Sequence, residues 1–373
     1  MFRPWRGSKE ARRINPNQEC LPRFHIPLVE GTVMTVIIGI DPHKASHAAY
    51  AIDHNEHELA QLQVRAGQRQ LVELLGWAEP FAERRWAIES AAGLGYLLAQ
   101  QLVGAGECVV DVPATLSSRV RVLGTGRSNK NDPNDARAVA IAALRAPALA
   151  AVRREDHVTV LRLLAKAHLD AGRARNRACC RLHALAGELV AGGIRKEVVV
   201  SQAETLLATI EPTGAAQHQR LELARELLDE VRALDTKLKR SKTRIAEAVV
   251  ASATTLTDLY GVGPIVAATI IGYSGDVCRF PTAGHYAAYN GTAPIEFSSA
   301  GRIVHRLSRR GNRVLNHAIH MAAVTQIRNL DSEGRAYYDT KVAAGKTKRE
   351  ALRALKRRVS DRVYRQLITD ARK

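Results

Sequence analysis

The hydrophobic pattern changes character along the chain. From Thr35 it reads as strands. TVIIGID (Thr35–Asp41) is a continuous apolar run ending in an acid, which fits a buried central strand. HAAYAID (His47–Asp53) and LAQLQV (Leu59–Val64) follow across short polar turns, as an antiparallel meander would. A helix fits Gln68–Glu79, a strand RRWAIES (Arg84–Ser90), a helix Leu94–Ala105 and a strand CVVDV (Cys108–Val112). A further helix lies near Asn134–Leu144.

The order βββαβαβα is that of a ribonuclease-H-like α/β domain, placed at residues 34–150. A dinucleotide-binding domain would start βαβ with a glycine-rich turn after the first strand, and none follows here. Residues 151–252 carry almost no strand signal. Helices fit about Val158–Val190 and His218–Val250, broken at Gly192–Gly193 and Pro212–Gly214. The second helix accepts a heptad, with one seam Ala224, Val231, Leu238, Ile245 and another Leu227, Leu234, Ser241, Ala248. The segment is expected to be a coiled-coil or helical-hairpin spacer, with a plain amphipathic helix packed on its own domain as the alternative. A mainly helical region follows at 253–340. LTDLYGVGPIVAATII reads there as helix, tight turn, helix, and a mixed glycine-rich stretch runs on to about Gly311. Residues 341–373 read as a basic helical tail, and residues 1–33 as a basic, irregular leader ahead of Met34.

Charge sharpens this picture. Lys+Arg is 55 against Asp+Glu 37 over 373 residues, a formal charge of +18. An excess of that size points to a polyanion, most often nucleic acid. No apolar run is long enough to span a bilayer, and the N-terminus lacks the apolar core of a secretory signal. Cys20, Cys108, Cys179, Cys180 and Cys278 show no paired CxxC spacing, so they read as reduced thiols in a cytoplasmic chain and exclude a zinc ribbon.

The acids carry the first candidate chemistry. Asp41 ends the first strand and Glu89 the fourth, and these strands are neighbours in a ribonuclease-H-like sheet. In KNDPNDARAVA, Asp132 and Asp135 are three apart at a helix start, hence on one face. Four gathered carboxylates need cations, and a pair of Mg²⁺ ions is the usual answer for phosphodiester chemistry. Taken singly, each is more often a turn or capping acid. Asp53 and Asp111 are weaker candidates. Arg127 and Lys130 are expected phosphate contacts.

Further on, Tyr260-Gly261-Val262-Gly263-Pro264 is similar to a helix-hairpin-helix turn, in which Gly261 and Gly263 would let a phosphate approach backbone N–H groups. The run Phe297–Leu330 has no Asp or Glu but holds Arg302, Arg306, Arg309, Arg310, Arg313 and Arg328, with His305, His317 and His320. A solvated charged face normally mixes both signs, so this run is expected to lie against nucleic acid. Ser298-Ser299-Ala300-Gly301 opens it, and a serine in such a small-residue loop beside arginines can attack a phosphodiester. Most serines in such loops only make turns.

Taken together, IIGIDPHK, AIESAAGLGYLLAQQL, KNDPNDARAVA, YGVGPIVAATIIGYSGDVCRF and YNGTAPIEFSSAGRIVHRLSRRGNRVLNHAIHMAA resemble, in order and spacing over nearly all of Val36–Arg328, bacterial insertion-sequence transposases of the IS one-ten type. The resemblance implies a RuvC-like domain with a DEDD tetrad (Asp41, Glu89, Asp132, Asp135), a coiled-coil spacer and a C-terminal domain with an active serine, matched by Ser299. Ser298 remains a rival because the local order is Ser-Ser-Ala-Gly. It further implies magnesium, as two ions, a bridge RNA that pairs with donor and target DNA, and a dimer-to-tetramer assembly with composite sites, acting at the bacterial nucleoid. Two other readings stay open: a metal-dependent junction-resolving endonuclease without serine chemistry, and a non-catalytic nucleic-acid-binding relative.

Overall fold

The computed structural model describes residues 35–125, 132–146, 148–195, 197–299, 302–307 and 311–373; at 123–125, 132, 295–299 and 302–307 it describes the backbone alone. The leader, Arg127, Lys130, Arg309 and Arg310 lie outside the described residues. The chain divides into two compact units, one ending at Glu155 and the other beginning at Asp156.

The first unit is a six-stranded mixed sheet with helices on both faces. Its elements in chain order are β1 (Val36–Pro42), β2 (Ser46–Ile52), β3 (Glu58–Arg65), α1 (Gln70–Trp77), β4 (Arg84–Glu89), α2 (Tyr96–Gly104), β5 (Val109–Val112), α3 (Ala114–Thr125), α4 (Asp132–Arg145) and β6 (Ala150–Ala151). The sheet order is β3-β2-β1-β4-β5-β6. β1, β2 and β3 pair antiparallel, β1 with β4 and β4 with β5 parallel, and β6 antiparallel to β5. That is the ribonuclease-H-like, RuvC-like arrangement expected from the strand order. Two elements were not foreseen, the short edge strand β6 and the helix α3.

Alternation along β1 divides its side chains between two cores. Val36, Ile38 and Ile40 face Leu74, Leu98 and Leu102 of α1 and α2. Ile37 faces Ala136, Val139 and Ala140 of α4. Asp41 continues that second row. Gly39 lies on the same face, where a Cβ would collide with the Ala136 carbonyl and stand 2.5 Å from the Ala140 backbone nitrogen. A glycine beneath two alanines therefore lets α4 rest backbone to backbone on the central strand.

The second unit begins with α5 (His157–Leu189), α6 (Val200–Ala208) and α7 (Ala215–Ala251). α5 and α7 form an antiparallel hairpin. His168 Nδ1 meets Ser241 Oγ at 3.2 Å, Arg175 pairs with Asp235, and Arg220 Nε donates to Glu188 at 2.7 Å. The heptad seam of α7 is thus filled by α5 of the same chain, with Ala224, Leu227 and Val231 buried against Ala178 and Leu182. This is the hairpin form of the expected spacer.

Next come α8 (Pro264–Ser274), α9 (Ala283–Tyr289), β7 (Pro294–Ser299), β8 (Arg302–Leu307), α10 (Arg313–Arg328), α11 (Glu333–Ala343) and α12 (Lys348–Asp370). Their core joins Ile270, Ile271, Tyr286, Leu315, Ile319 and Ala322 to Leu355, Val359, Val363 and Leu367 of α12. The basic C-terminal helix is therefore a core element, its apolar stripe recurring every four residues. The expected helix ahead of the Gly-Val-Gly turn is only a 3-10 turn, Leu256–Asp258. Thr254 and Thr255 bind Asp370 there instead of continuing α7. The mixed glycine-rich stretch contains the β7–β8 hairpin, whose first strand ends at Ser299 where a small-residue loop was expected. Among the described residues no helix is long and apolar enough to cross a membrane.

Candidate functional site

The acids come together because strand register and helix docking leave them no alternative. β1 and β4 run parallel with Ile40 opposite Ile88, so Asp41 and Glu89 are the next positions at the same sheet edge. The close seat of α4 on Gly39 brings Asp135, the residue before Ala136, over that edge. Asp41 and Asp135 are both buried, at 6% and 7% exposure. Burial pushes the Asp41 carboxyl up to about 6; His43 opposes the rise, while the charges of Glu89 and Asp135 and a side-chain hydrogen bond with Glu89 add to it. The structure thus gathers three of the four expected acids. Asp132 opens α4 three residues before Asp135, and its side chain lies outside the described residues.

Each gathered acid already has a partner. Arg121 Nη1 is 2.7 Å from Asp135 Oδ1. Ser117, fully buried, donates its hydroxyl to a Glu89 carboxylate oxygen. His43 Nδ1 is 3.8 Å from Asp41 Oδ2. Ser117 and Arg121 are four apart on α3, so one helix face serves two acids. Sequence reasoning missed both residues, because SSRVRV alternates like a strand and carries no helical period. The weaker candidates have structural duties. Asp111 Oδ1 accepts the Ala91 N–H at 2.7 Å and pins the turn after β4. Asp53 closes the β2–β3 turn by accepting from the Asn55 and His57 N–H groups, each at 2.8 Å.

The donor set fits a hard divalent cation in kind. It offers carboxylate oxygens, and burial together with the neighbouring acids raises Asp41 above the usual carboxylate range, a cost that a bound cation would relieve. Among the described residues no three His, Cys, Asp or Glu side chains stand together in ligating geometry. Arg121 and Ser117 hold the oxygens a cation would take.

In the second unit, Ser298 and Ser299 end β7 and do not lie in a free loop. Ser299 stands opposite Arg302, Ser298 opposite Ile303, and Ile295 opposite Arg306. Successive strand positions alternate faces, so the register groups 299, 302 and 306 on one face of the ribbon and 298 on the other. The hairpin base is firmly closed. The Asn312 N–H donates to the Tyr289 carbonyl at 2.7 Å. Buried Asn290 accepts from Thr292 and donates to Ser360 Oγ at 2.8 Å.

Gly261 has φ +85°, and a Cβ there would lie 2.7 Å from the Ala322 carbonyl, so its glycine is explained by close packing on α10. Gly263 precedes Pro264 at the start of α8, with open space where a Cβ would sit. Arg313 is the exposed first residue of α10.

Residues 253–339 match the family model described as Transposase IS116/IS110/IS902 family, and residues 38–189 match the IS110 DEDD transposase model. The insertion element IS116 uncharacterized 44.8 kDa protein of Streptomyces clavuligerus is 27% identical, over 88% of this chain and 94% of its own. The insertion element IS900 uncharacterized 42 kDa protein of Mycobacterium paratuberculosis is 28% identical, over 86% and 92%. A probable family 20 transposase of Pseudomonas aeruginosa is 27% identical, over 74% and 80%. Among solved structures, T. thermophilus RuvC in complex with a Holliday junction substrate aligns over 30% of this chain and 93% of its own, at 15% identity and a TM-score of 0.24.

Proposed function

Because this chain belongs to the IS110/IS116/IS902 family of transposases, enzymes that cleave DNA and transfer strands, we propose that it divides that work between two stations, an acidic one for metal and a serine one for covalent exchange. The observation that carries the proposal is the convergence of Asp41, Glu89 and Asp135 at one sheet edge, with Asp41 held up to about 6 by burial and its fellow acids.

Asp41, Glu89, Asp135 and, from the head of α4, Asp132 would hold Mg²⁺, as two ions. When bound, magnesium supplies charge to neutralise the scissile phosphate and polarise an oxygen. Ser117 and Arg121 orient the acids before that. At the other station Ser299 is the nucleophile. Its Oγ–P bond forms as the P–O bond to the leaving sugar oxygen breaks; the serine proton goes to a base and the leaving oxygen gains a proton. The DNA end then stays joined to the protein until a second strand's oxygen reverses the step. The ribbon register favours Ser299 over Ser298, because the faces alternate and 302 and 306 share that of 299. Their guanidinium charges, with Arg309, Arg310 and Arg313, offset the developing negative charge.

DNA is the substrate. Target choice would be delegated to a structured bridge RNA, so the protein needs charge and shape recognition more than base-reading side chains. The +18 net charge is consistent with carrying two nucleic acids. The functional assembly would be a homo-oligomer, dimer to tetramer, in which the stations of different subunits work together.

The test is strand transfer between donor and target plasmids carrying the element ends. Asp41→Asn and Ser299→Ala should each abolish recombinant junctions while DNA binding persists. Junctions at wild-type frequency from either variant would refute the role given to that residue. Undiminished junctions in a chelator would refute the metal.

A further inference from the structure

The cations of the second unit are not all alike. Along α12 and its surroundings some have an acid, and Lys348, Arg349, Arg353, Arg358 and Arg365 are exposed to water. Arg357 Nε is 3.1 Å from Asp361 Oδ1, Arg362 Nη1 2.7 Å from Glu333 Oε2, and Arg335 Nε 2.7 Å from Asp339 Oδ2. Lys356 sits among the same turns and differs. It is half-buried, and among the described residues no carboxylate lies within ion-pairing distance of it. Its neighbours are cations. Burial first, then the charge of Arg313, pull its ammonium below the usual lysine range. His320 is pulled down by burial, by Lys356 and by His317.

The cluster is also built, not incidental. Arg313, His317 and His320 are four and three residues apart, one stripe on α10. Asn316, on the same helix, binds in two directions. Its Nδ2 donates to the Asn290 carbonyl at 2.9 Å, and its Oδ1 accepts from Lys356 Nζ at 2.8 Å. Asn290 is fully buried and donates to Ser360, one turn beyond Lys356 on α12. The polar chain Ser360–Asn290–Asn316–Lys356 therefore fixes the ammonium against α10. One of its three N–H donors is committed to Asn316. Holding a partly desolvated lysine beside an arginine costs free energy in the isolated protein. An anion placed there recovers it.

From this geometry we infer that Arg313, His317, His320 and Lys356 form a phosphodiester-binding site that grips the backbone of a bound nucleic acid. The stripe rises roughly 10 Å along α10, at about 1.5 Å per residue, which is longer than a single phosphate and suits a run of them. An imidazole N–H, an ammonium and a guanidinium all donate, so a singly charged, acceptor-only group such as a phosphodiester satisfies all of them. The inference rests on the reading that this chain acts on nucleic acid, and adds to it a residue, Lys356, from what the sequence presents as a tail.

The experiment measures binding of the full-length chain to duplex DNA and, separately, to a structured RNA, across a salt series. Lys356→Gln, His320→Gln and the control Arg362→Gln are compared with wild type. Loss of one phosphate contact should weaken binding several-fold and flatten the log K against log salt slope by about 0.9 on duplex DNA, or about 0.7 on single strands. Lys356→Arg should retain most of the affinity. The control, whose charge is spent on Glu333, should bind like wild type. Without nucleic acid, Lys356→Gln should melt no lower than wild type, because the removed charge was uncompensated; a structural lysine would lower the melting temperature. A deficit on DNA alone, on RNA alone or on both supports the site and says which strand it holds. Wild-type affinity and slope in Lys356→Gln on both ligands would overturn the site while leaving the proposed function standing. Failure of the wild-type chain to bind either ligand would overturn both.

Discussion

Both units gather like charges, and they handle them in opposite ways. The carboxylates of β1, β4 and α4 meet inside the first unit, each beside an internal partner: Arg121 on Asp135, Ser117 on Glu89, His43 on Asp41. Among the described residues, the cluster of Arg313, His317, His320 and Lys356 has an amide against it, Asn316 on Lys356, and no carboxylate within ion-pairing distance. A buried carboxylate cluster has to be tolerable whenever the protein folds, so it carries its own substitutes for the cation it awaits. A half-exposed basic cluster is partly relieved by water, so it can be left open for an external anion. The acidic site is therefore ordered before any metal arrives, whereas the basic one is completed only by its ligand.

That contrast can be broken most severely at Gly39. Gly39→Val would push α4 off the central strand, since even a Cβ meets the Ala136 and Ala140 backbone. Displacing the helix separates Asp135 from Asp41. The expected cost is about 1–3 kcal/mol of stability, with loss of DNA cleavage. Chemical denaturation and a cleavage assay read the two effects, and a stable, active Gly39→Val would contradict the docking.

A smaller effect sharpens the idea of an internal substitute cation. Arg121→Gln leaves Asp135 with its charge uncompensated. The metal-free variant should lose roughly 1–3 kcal/mol, and added Mg²⁺ should restore more of the melting temperature in the variant than in wild type. Equal Mg²⁺ responses in the two proteins would separate Arg121 from the metal site.

The smallest predicted effect lies on the opposite face of the sheet. His47 is buried, its Nε2 3.1 Å from Gln70 Oε1, and burial holds its pKa below the ordinary 6.5. The folded state therefore keeps His47 neutral while the unfolded chain takes up a proton. Its contribution is intact above pH 6.5 and is lost as pH falls below that value, by at most about 1.4 kcal/mol per pH unit. His47→Gln should flatten the acid limb of stability below pH 6.5. An unchanged limb would assign acid sensitivity elsewhere.

The same contrast explains what the amino-acid sequence made legible. Asp41 and Glu89 could be placed because each closes an apolar run, and strand order alone brings such ends together. Asp135 followed from its spacing ahead of an alanine-rich helix. Ser117 and Arg121 were hidden, since SSRVRV alternates polar and apolar residues and only tertiary packing of Leu116 and Val120 makes it helical. The hairpin under Ser299 was masked by small residues and glycine, although PIEFSS and RIVHRL are ordinary strand sequences. On α12 the charges drew attention from the signal that mattered. Ala351, Leu355, Val359, Val363 and Leu367 recur every four residues and are all buried.

In the proposed mechanism covalent chemistry belongs to the hairpin serine and not to the acids. Mass spectrometry of the protein trapped on a nicked, end-bearing DNA substrate tests it most directly. Trypsin cuts after Arg279 and Arg302, so a single peptide, residues 280–302, carries both Ser298 and Ser299. The expected result is a nucleotide adduct on that peptide, with fragmentation placing it at Ser299 and Ser299→Ala eliminating it. Cleaved DNA with no protein adduct, or an adduct at Ser298, would contradict it.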